Sequence, residues 1–116
     1  MGLTFDSLME LATVRPPVEK TLDGIGKVFF RHPTFDEWHN IIEAHQKLDG
    51  KTAPALLVCK TVATALCDES GTRLMNNQQA QKLNEKDAKV VMDLYLAAIS
   101  SVFSATDENL EEIEKN

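Results

Sequence analysis

Lys27-Val28-Phe29-Phe30-Arg31-His32-Pro33-Thr34-Phe35-Asp36-Glu37 is the stretch on which the fold turns. Its first half carries the β-branched and aromatic residues that suit a pleated strand. His32-Pro33 stops that strand, because proline lacks the N–H a ladder needs and restricts the residue before it. The second half opens a helix. Thr34 and Glu37 make a capping box, in which the threonine hydroxyl accepts one orphan backbone N–H and the glutamate carboxylate accepts another.

On the N-terminal side, Val18 to Leu22, then Asp23-Gly24-Ile25-Gly26, then Lys27 to Arg31 read as a β-hairpin within residues 14–32. Gly24 and Gly26 supply the positive φ that such connections require. Arg15-Pro16-Pro17 forces extended chain ahead of the hairpin. Before it, Leu3 to Ala12 reads as a short helix, with Phe5, Leu8, Met9 and Ala12 on one face.

On the C-terminal side, a helix is expected from about Phe35 to Leu48, ended by Asp49-Gly50. Phe35, Trp38, Ile41, Ile42, His45 and Leu48 form its apolar face, opposite Asp36, Asn40, Glu43 and Lys47. A second helix follows Thr52, with Pro54 tolerated in its first turn, and extends to about Cys67. Asp68-Glu69-Ser70-Gly71 is a polar turn. Asn76 or Asn77 caps a short helix through Leu83, and Asn84 caps a long one from Glu85 to about Ser104. Thr106 opens either an acidic helix or a frayed tail containing Leu110 and Ile113. The expectation is an α+β, mainly α domain over residues 1–106: an N-terminal β-hairpin, then a bundle of about four helices. Residues 107–116 form an acidic C-terminal helix or tail.

Two of these helices carry more apolar surface than one core face needs. On the long helix, Val91-Tyr95-Ala98-Val102 lies beside Met92-Leu96-Ile99-Phe103. With Leu94 the arc is roughly 200°, against about 100° for an ordinary surface helix. On the helix after Pro54, the core face is Leu56, Cys59, Val62, Ala63 and Leu66. Val58 and Ala65 widen it, and Leu57 sits among Lys60, Thr61 and Thr64. Both helices could be central and covered on each side; the alternative is a flank left open for a partner or a second copy. On that alternative Phe29, Leu57, Leu94 and Phe103 are the candidate partner-binding or self-association residues, each surplus to the main core face.

Composition narrows the partners. The chain has 116 residues, 43% hydrophobic and only 6% aromatic, which suits one aliphatic core. Net charge is −6. Asp107, Glu108, Glu111, Glu112 and Glu114 concentrate most of it in the last ten residues, leaving the body near neutral with no basic stripe. Nucleic acid and anionic membrane surfaces are therefore not expected as partners. No apolar run approaches the roughly 20 residues that span a bilayer. The start, Met1-Gly2-Leu3-Thr4-Phe5-Asp6, lacks the basic and apolar stretches of a secretory signal.

Chemistry is sparse. Cys59 and Cys67, if carried on one helix, lie roughly 12 Å apart along it, beyond the reach of a disulfide. His39 and His45 fall on different helix faces, unlike a two-histidine metal motif, and His45 reads as a hydrogen-bonded, partly buried side chain. Asp68 to Gly71 lacks the alternating oxygen ligands of a calcium loop. There is no phosphate loop, nucleophile elbow or zinc-spaced cysteine pair. Neither catalysis nor a metal or other cofactor is expected.

The order of these features resembles the tail assembly chaperones of long-tailed, lambda-like bacteriophages. A basic residue and prolines precede a hairpin; Val28-Phe29-Phe30-Arg31 leads to a capped helix opening Thr34-Phe35-Asp36-Glu37. A buried helix, Cys67-Asp68-Glu69-Ser70-Gly71-Thr72-Arg73-Leu74, a Gln-rich stretch and a long Ala- and Ile-rich helix follow. The likeness covers residues 14–104, and its most specific piece is the Asp-x-x-Gly turn, Asp68 to Gly71. Where the family commonly has an aromatic after that turn, this chain has Leu74-Met75.

The resemblance implies a protein that binds the long, apolar, helical tape measure protein, keeps it soluble, and promotes tail tube polymerisation around it. It implies action in the cytoplasm of the infected bacterial host and absence from the mature virion. It also implies contact with the tail tube protein through a longer, ribosomally frameshifted form, the short form ending at Glu114-Lys115-Asn116. Self-association is expected alongside. The alternative reading is a structural tail completion or head-to-tail connector protein retained in the particle.

Overall fold

The switch at His32-Pro33 divides the molecule as its residues dictate. The structure, a computed structural model, describes residues 2–103; the expected end of the long helix at Ser104 and the acidic tail lie outside them. Strands β1 (Val18–Leu22) and β2 (Gly26–Phe30) pair antiparallel, from Val18 opposite Phe30 to Leu22 opposite Gly26. Gly24 and Gly26 hold φ of 79° and 102°, where a Cβ would be strained. Helix α2 (Phe35–Gln46) begins at Thr34, whose hydroxyl accepts the Glu37 N–H at 3.3 Å while Glu37 accepts the Thr34 N–H at 2.9 Å.

Helix α3 (Ala55–Ala65) starts one residue after Pro54 and ends at Ala65, short of the expected Cys67. Leu66–Cys67 instead form strand β3, antiparallel to β2 with Phe29 opposite Cys67 and Phe30 opposite Leu66. The hairpin is thus part of a three-stranded sheet in the order β1-β2-β3. The chain leaves the helix cleanly because its last carbonyls find other donors. The Arg31 N–H takes Ala65 O at 2.8 Å, the Arg31 guanidinium takes Thr64 O at 2.8 Å, and Arg73 Nε takes Ala63 O at 2.9 Å. Two cations at a helix C-terminus also complement its dipole.

Arg73 is delivered by the Asp68–Gly71 turn. Asp68 Oδ1 accepts from the Ser70 hydroxyl at 2.7 Å and from the N–H groups of Ser70 and Thr72 at 2.9 and 3.0 Å. Those bonds hold its carboxyl below the ordinary range. Gly71 sits at φ 94° with Pro17 against it, 3.4 Å from where a Cβ would stand. The turn most characteristic of the resemblance therefore anchors the proline segment and aims Arg73 at α3.

Helix α4 (Asn77–Ala80), capped by Asn76 and Gln79, runs into a 3-10 turn over Gln81–Glu85. Helix α5 (Ala88–Ala98) begins later than expected: Asp87, not Asn84, is its cap, accepting the Lys89 N–H at 2.9 Å. Asn84 is engaged elsewhere, accepting from the Cys59 thiol at 3.3 Å. A π turn over Ile99–Phe103 continues α5.

Helix α3 is the centre. Leu57, Val58, Cys59, Val62, Ala63 and Ala65 are all buried, as are Thr61 and Thr64. The threonines can be buried because their hydroxyls donate back to Leu57 O and Lys60 O, each at 2.8 Å. Phe30, Ile41, Leu94, Ala98, Val102 and Phe103 pack with Leu57 and Val62 in one cluster. Helix α1 (Phe5–Leu11) carries no buried residue.

Candidate protein-interaction surface

The sequence-derived candidates do not form a surface. Leu57, Leu94 and Phe103 are core residues, and Phe29 is half-buried in β2 between Glu19 and Cys67. The expectation that these four are surplus to the core is corrected for Leu57, Leu94 and Phe103, each for a physical reason. Leu57 lies on the threonine side of α3, which is buried rather than solvated. Leu94 faces α3 across the α3–α5 contact. Phe103 is swung inward by the π turn, whose residues each add less rotation than those of an α-helix, so it leaves the Met92–Leu96 stripe.

What remains exposed is a different set. On α5, Met92 and Leu96 are 40% and 57% accessible, so the wide apolar arc does leave one flank open, opposite Leu94 and Ala98. Leu56, expected in the core, points outward from α3, and Phe35 lies outside the core at the start of α2. Phe35 stacks on Trp38 and approaches His39 instead.

Helix α1 contributes most. Phe5 and Leu11 are 73% and 77% accessible, and Leu8 and Met9 are exposed beside them. Thr4 caps it by accepting the Ser7 N–H at 3.1 Å, while Ser7 Oγ accepts the Thr4 N–H at 3.0 Å. A seven-residue helix has too few internal bonds to be stable alone in water, where roughly 12–15 residues are needed even for good formers. Its apolar face is the usual remedy, and here that face touches solvent.

Hollows border α5 on both sides among the described residues. One, about 260 Å³, is apolar, walled by Val58 and Cys59 of α3, Leu83, and Val91 and Met92 of α5. Among the described residues Lys86 is its one charged lining residue. The other lies between the hairpin and the outer flank of α5, where Lys20, Leu22 and Asp23 face Lys89, Asp93 and Leu96. Lys89 is drawn into it by Asp93 at 2.8 Å, a contact that raises its pKa.

Several titratable groups are committed to structure. His45 is half-buried, with Nδ1 2.7 Å from Ile41 O and Nε2 2.8 Å from the Tyr95 hydroxyl. Nδ1–H donates to the Ile41 carbonyl, which has no proton to give, and Nε2 pairs with the Tyr95 hydroxyl. Burial raises the Tyr95 phenol and both thiols, Cys59 and Cys67. Among the described residues no group of His, Cys, Asp and Glu converges as metal ligands would, and no helix is long and apolar enough to cross a membrane. No family model, characterised protein or solved structure matches the chain.

Proposed function

We propose that this chain is a tail assembly chaperone of a long-tailed phage, holding the tape measure protein soluble until tube subunits polymerise around it. The order of hairpin, capped helix, Asp-x-x-Gly turn and long apolar helix suggests the family. The observation that carries the reading is the apolar surface left open on α1 and on the outer flank of α5. Soluble domains seldom expose such patches without a partner to cover them.

The mechanism follows from transfer of apolar surface out of water. A helical client laid along the α5 flank would cover Leu96 and Leu22, each such side chain contributing about 1.5–3 kcal/mol when fully buried. Contacts of that size give weak individual binding, and many copies on a long client supply avidity without new contacts. Self-association of the chain would array those copies. The chaperone acts in the cytoplasm of the infected host, reaches the tail tube protein through an extended form, and leaves before the virion matures.

Co-expression tests this. A tape measure protein that is the client is expected to be insoluble alone and soluble with this chain, and purified virions are expected to lack the chain. A fixed stoichiometry in virions would replace the reading with the connector or tail completion one.

A further inference from the structure

The segment that carries α1 meets the rest of the domain at a titratable contact. Arg15 Nη2 lies 3.3 Å from Nδ1 of His32, at the junction of β2 and α2. Among the described residues, every hydrogen bond of residues 2–14 stays within that segment: the Thr4–Ser7 cap, the turns of α1, and the Thr13 bonds to Met9 and Glu10. No ion pair among the described residues includes them. Just beyond Arg15 the chain is held again, with Pro17 against Gly71. A hollow of about 370 Å³ separates segment from domain, walled by Leu11, Val14 and Arg15 of the one and His32, Pro33 and Phe35 of the other.

A guanidinium has only protons to offer, so this contact requires a lone pair on Nδ1 of His32. That is the neutral ring, with its proton on Nε2. A second proton turns Nδ1 into a donor and sets two cations against each other. The charged groups on the surrounding elements are engaged elsewhere. Arg31 of the junction is forked on Glu37 of α2, His39 lies beside Glu43, and Glu19 of β1 pairs with Lys27. In the turn after β3, Asp68 accepts from Ser70 and Thr72, and Arg73 donates to Ala63 O. Asp36 does not line the hollow, where Arg15 and His32 are the only titratable residues among those described. Burial first, and the Arg15 charge second, hold the His32 ring below its ordinary value.

We infer that Arg15 and His32 form a proton-operated latch, which holds the α1 segment against the β2–α2 junction while His32 is neutral and releases it on protonation. Linkage fixes the direction. A histidine lowered in the latched state favours that state fully above its ordinary value. The contribution is lost as pH falls through the lowered one. The hinge lies at Arg15–Pro16, since Pro17 stays against Gly71. Helix α1 carries one of the open apolar surfaces, so the latch decides whether that surface is held beside Phe35 or swings free. The inference does not depend on what client those surfaces hold.

Energy transfer within the full chain tests the latch. Trp38, the one tryptophan, lies on α2 and serves as donor. Leu3→Cys, exposed just ahead of α1, carries a dansyl acceptor, attached to the native protein in which Cys59 and Cys67 are buried. Transfer is expected to fall in a single one-proton step below the ordinary histidine value, with its midpoint at the pKa that NMR reads for His32. Amide resonances of α3 are expected to hold their positions through the step. His32→Gln offers a neutral acceptor at every pH, so its transfer is expected to stay flat over the same range. His32→Lys places a permanent cation there, and its transfer is expected to be low already at neutral pH. Arg15→Gln is expected to move the His32 pKa upward, toward the ordinary value. Transfer that stays flat while His32 titrates would overturn the inference. So would a fall shared by His32→Gln, a His32 pKa that Arg15→Gln leaves in place, or collapse of the α3 resonances at the step.

Discussion

Arg31 donates from one guanidinium nitrogen both to the Thr64 carbonyl at 2.8 Å and to Glu37 at 3.0 Å, joining the end of α3 to the first turn of α2. Its other terminal nitrogen lies 3.0 Å from the second Glu37 oxygen, so the pair is forked. Both side chains are mostly covered, which raises the strength of a charge-assisted bond and the cost of breaking it. Arg31→Met is expected to lower unfolding free energy by about 2–3 kcal/mol in chemical denaturation, since it strands a carbonyl and a carboxylate together. Arg31→Lys should recover only part, because an ammonium cannot reproduce the fork.

The same pair sets an acid limit. Burial pushes the Glu37 carboxyl upward, but the bonds from Arg31 and the Thr34 N–H, with the Arg31 charge, outweigh it and hold the folded value below the ordinary one. A carboxyl depressed on folding contributes stability above its unfolded pKa and loses it as pH falls through the folded value. Stability measured from neutral pH downward should therefore decline below the ordinary carboxylate range. Glu37→Gln should flatten part of that decline, and an unchanged slope in the variant would contradict the assignment.

Gly71 is the one residue in the Asp68 turn that cannot carry a side chain without cost. Its φ of 94° and the closeness of Pro17 predict that Gly71→Ala destabilises by about 1–3 kcal/mol. Asp68→Ala should act in the same direction by releasing the N–H groups of Ser70 and Thr72. Thermal melts of the two variants check both, and stability equal to wild type would mean the turn does not position Arg73.

Cys59 and Cys67 are buried thiols whose pKa values burial raises. At neutral pH they should react with a thiol reagent only as fast as the domain opens, and promptly once denaturant is added. Fast labelling of the native protein would contradict the burial of α3 and β3.

The hairpin and the start of α2 are legible in the sequence because their signals are local: glycines at the turn, a proline stop, a threonine three residues before a glutamate. Strand β3 is not, because Leu66–Cys67 has no period of its own and is defined by its pairing with β2 and by the bonds of Arg31 and Arg73 to the last carbonyls of α3. The burial of Leu57 and Phe103 escapes the sequence for related reasons. Periodicity assigns Thr61 and Thr64 to solvent, although their hydroxyls return to the helix and let that side be buried. It also carries Phe103 around the outer face of an ideal α-helix, whereas a π turn brings it inside. Helix α1 could be read from Phe5, Leu8, Met9 and Ala12, but nothing in the sequence says that, among the described residues, none of it is buried. The surviving signal is the second stripe of α5, whose Met92 and Leu96 do remain open.

Client binding by this open apolar surface is tested most directly by titrating the intact chain into fluorescently labelled apolar helical segments of the tape measure protein and following anisotropy. Saturable binding is predicted, weakened by Leu96→Lys, which changes an exposed side chain and leaves the core alone. Absence of binding to every segment, or binding that Leu96→Lys and Leu8→Asp leave untouched, would contradict the proposal that the exposed flanks of α5 and α1 hold the client.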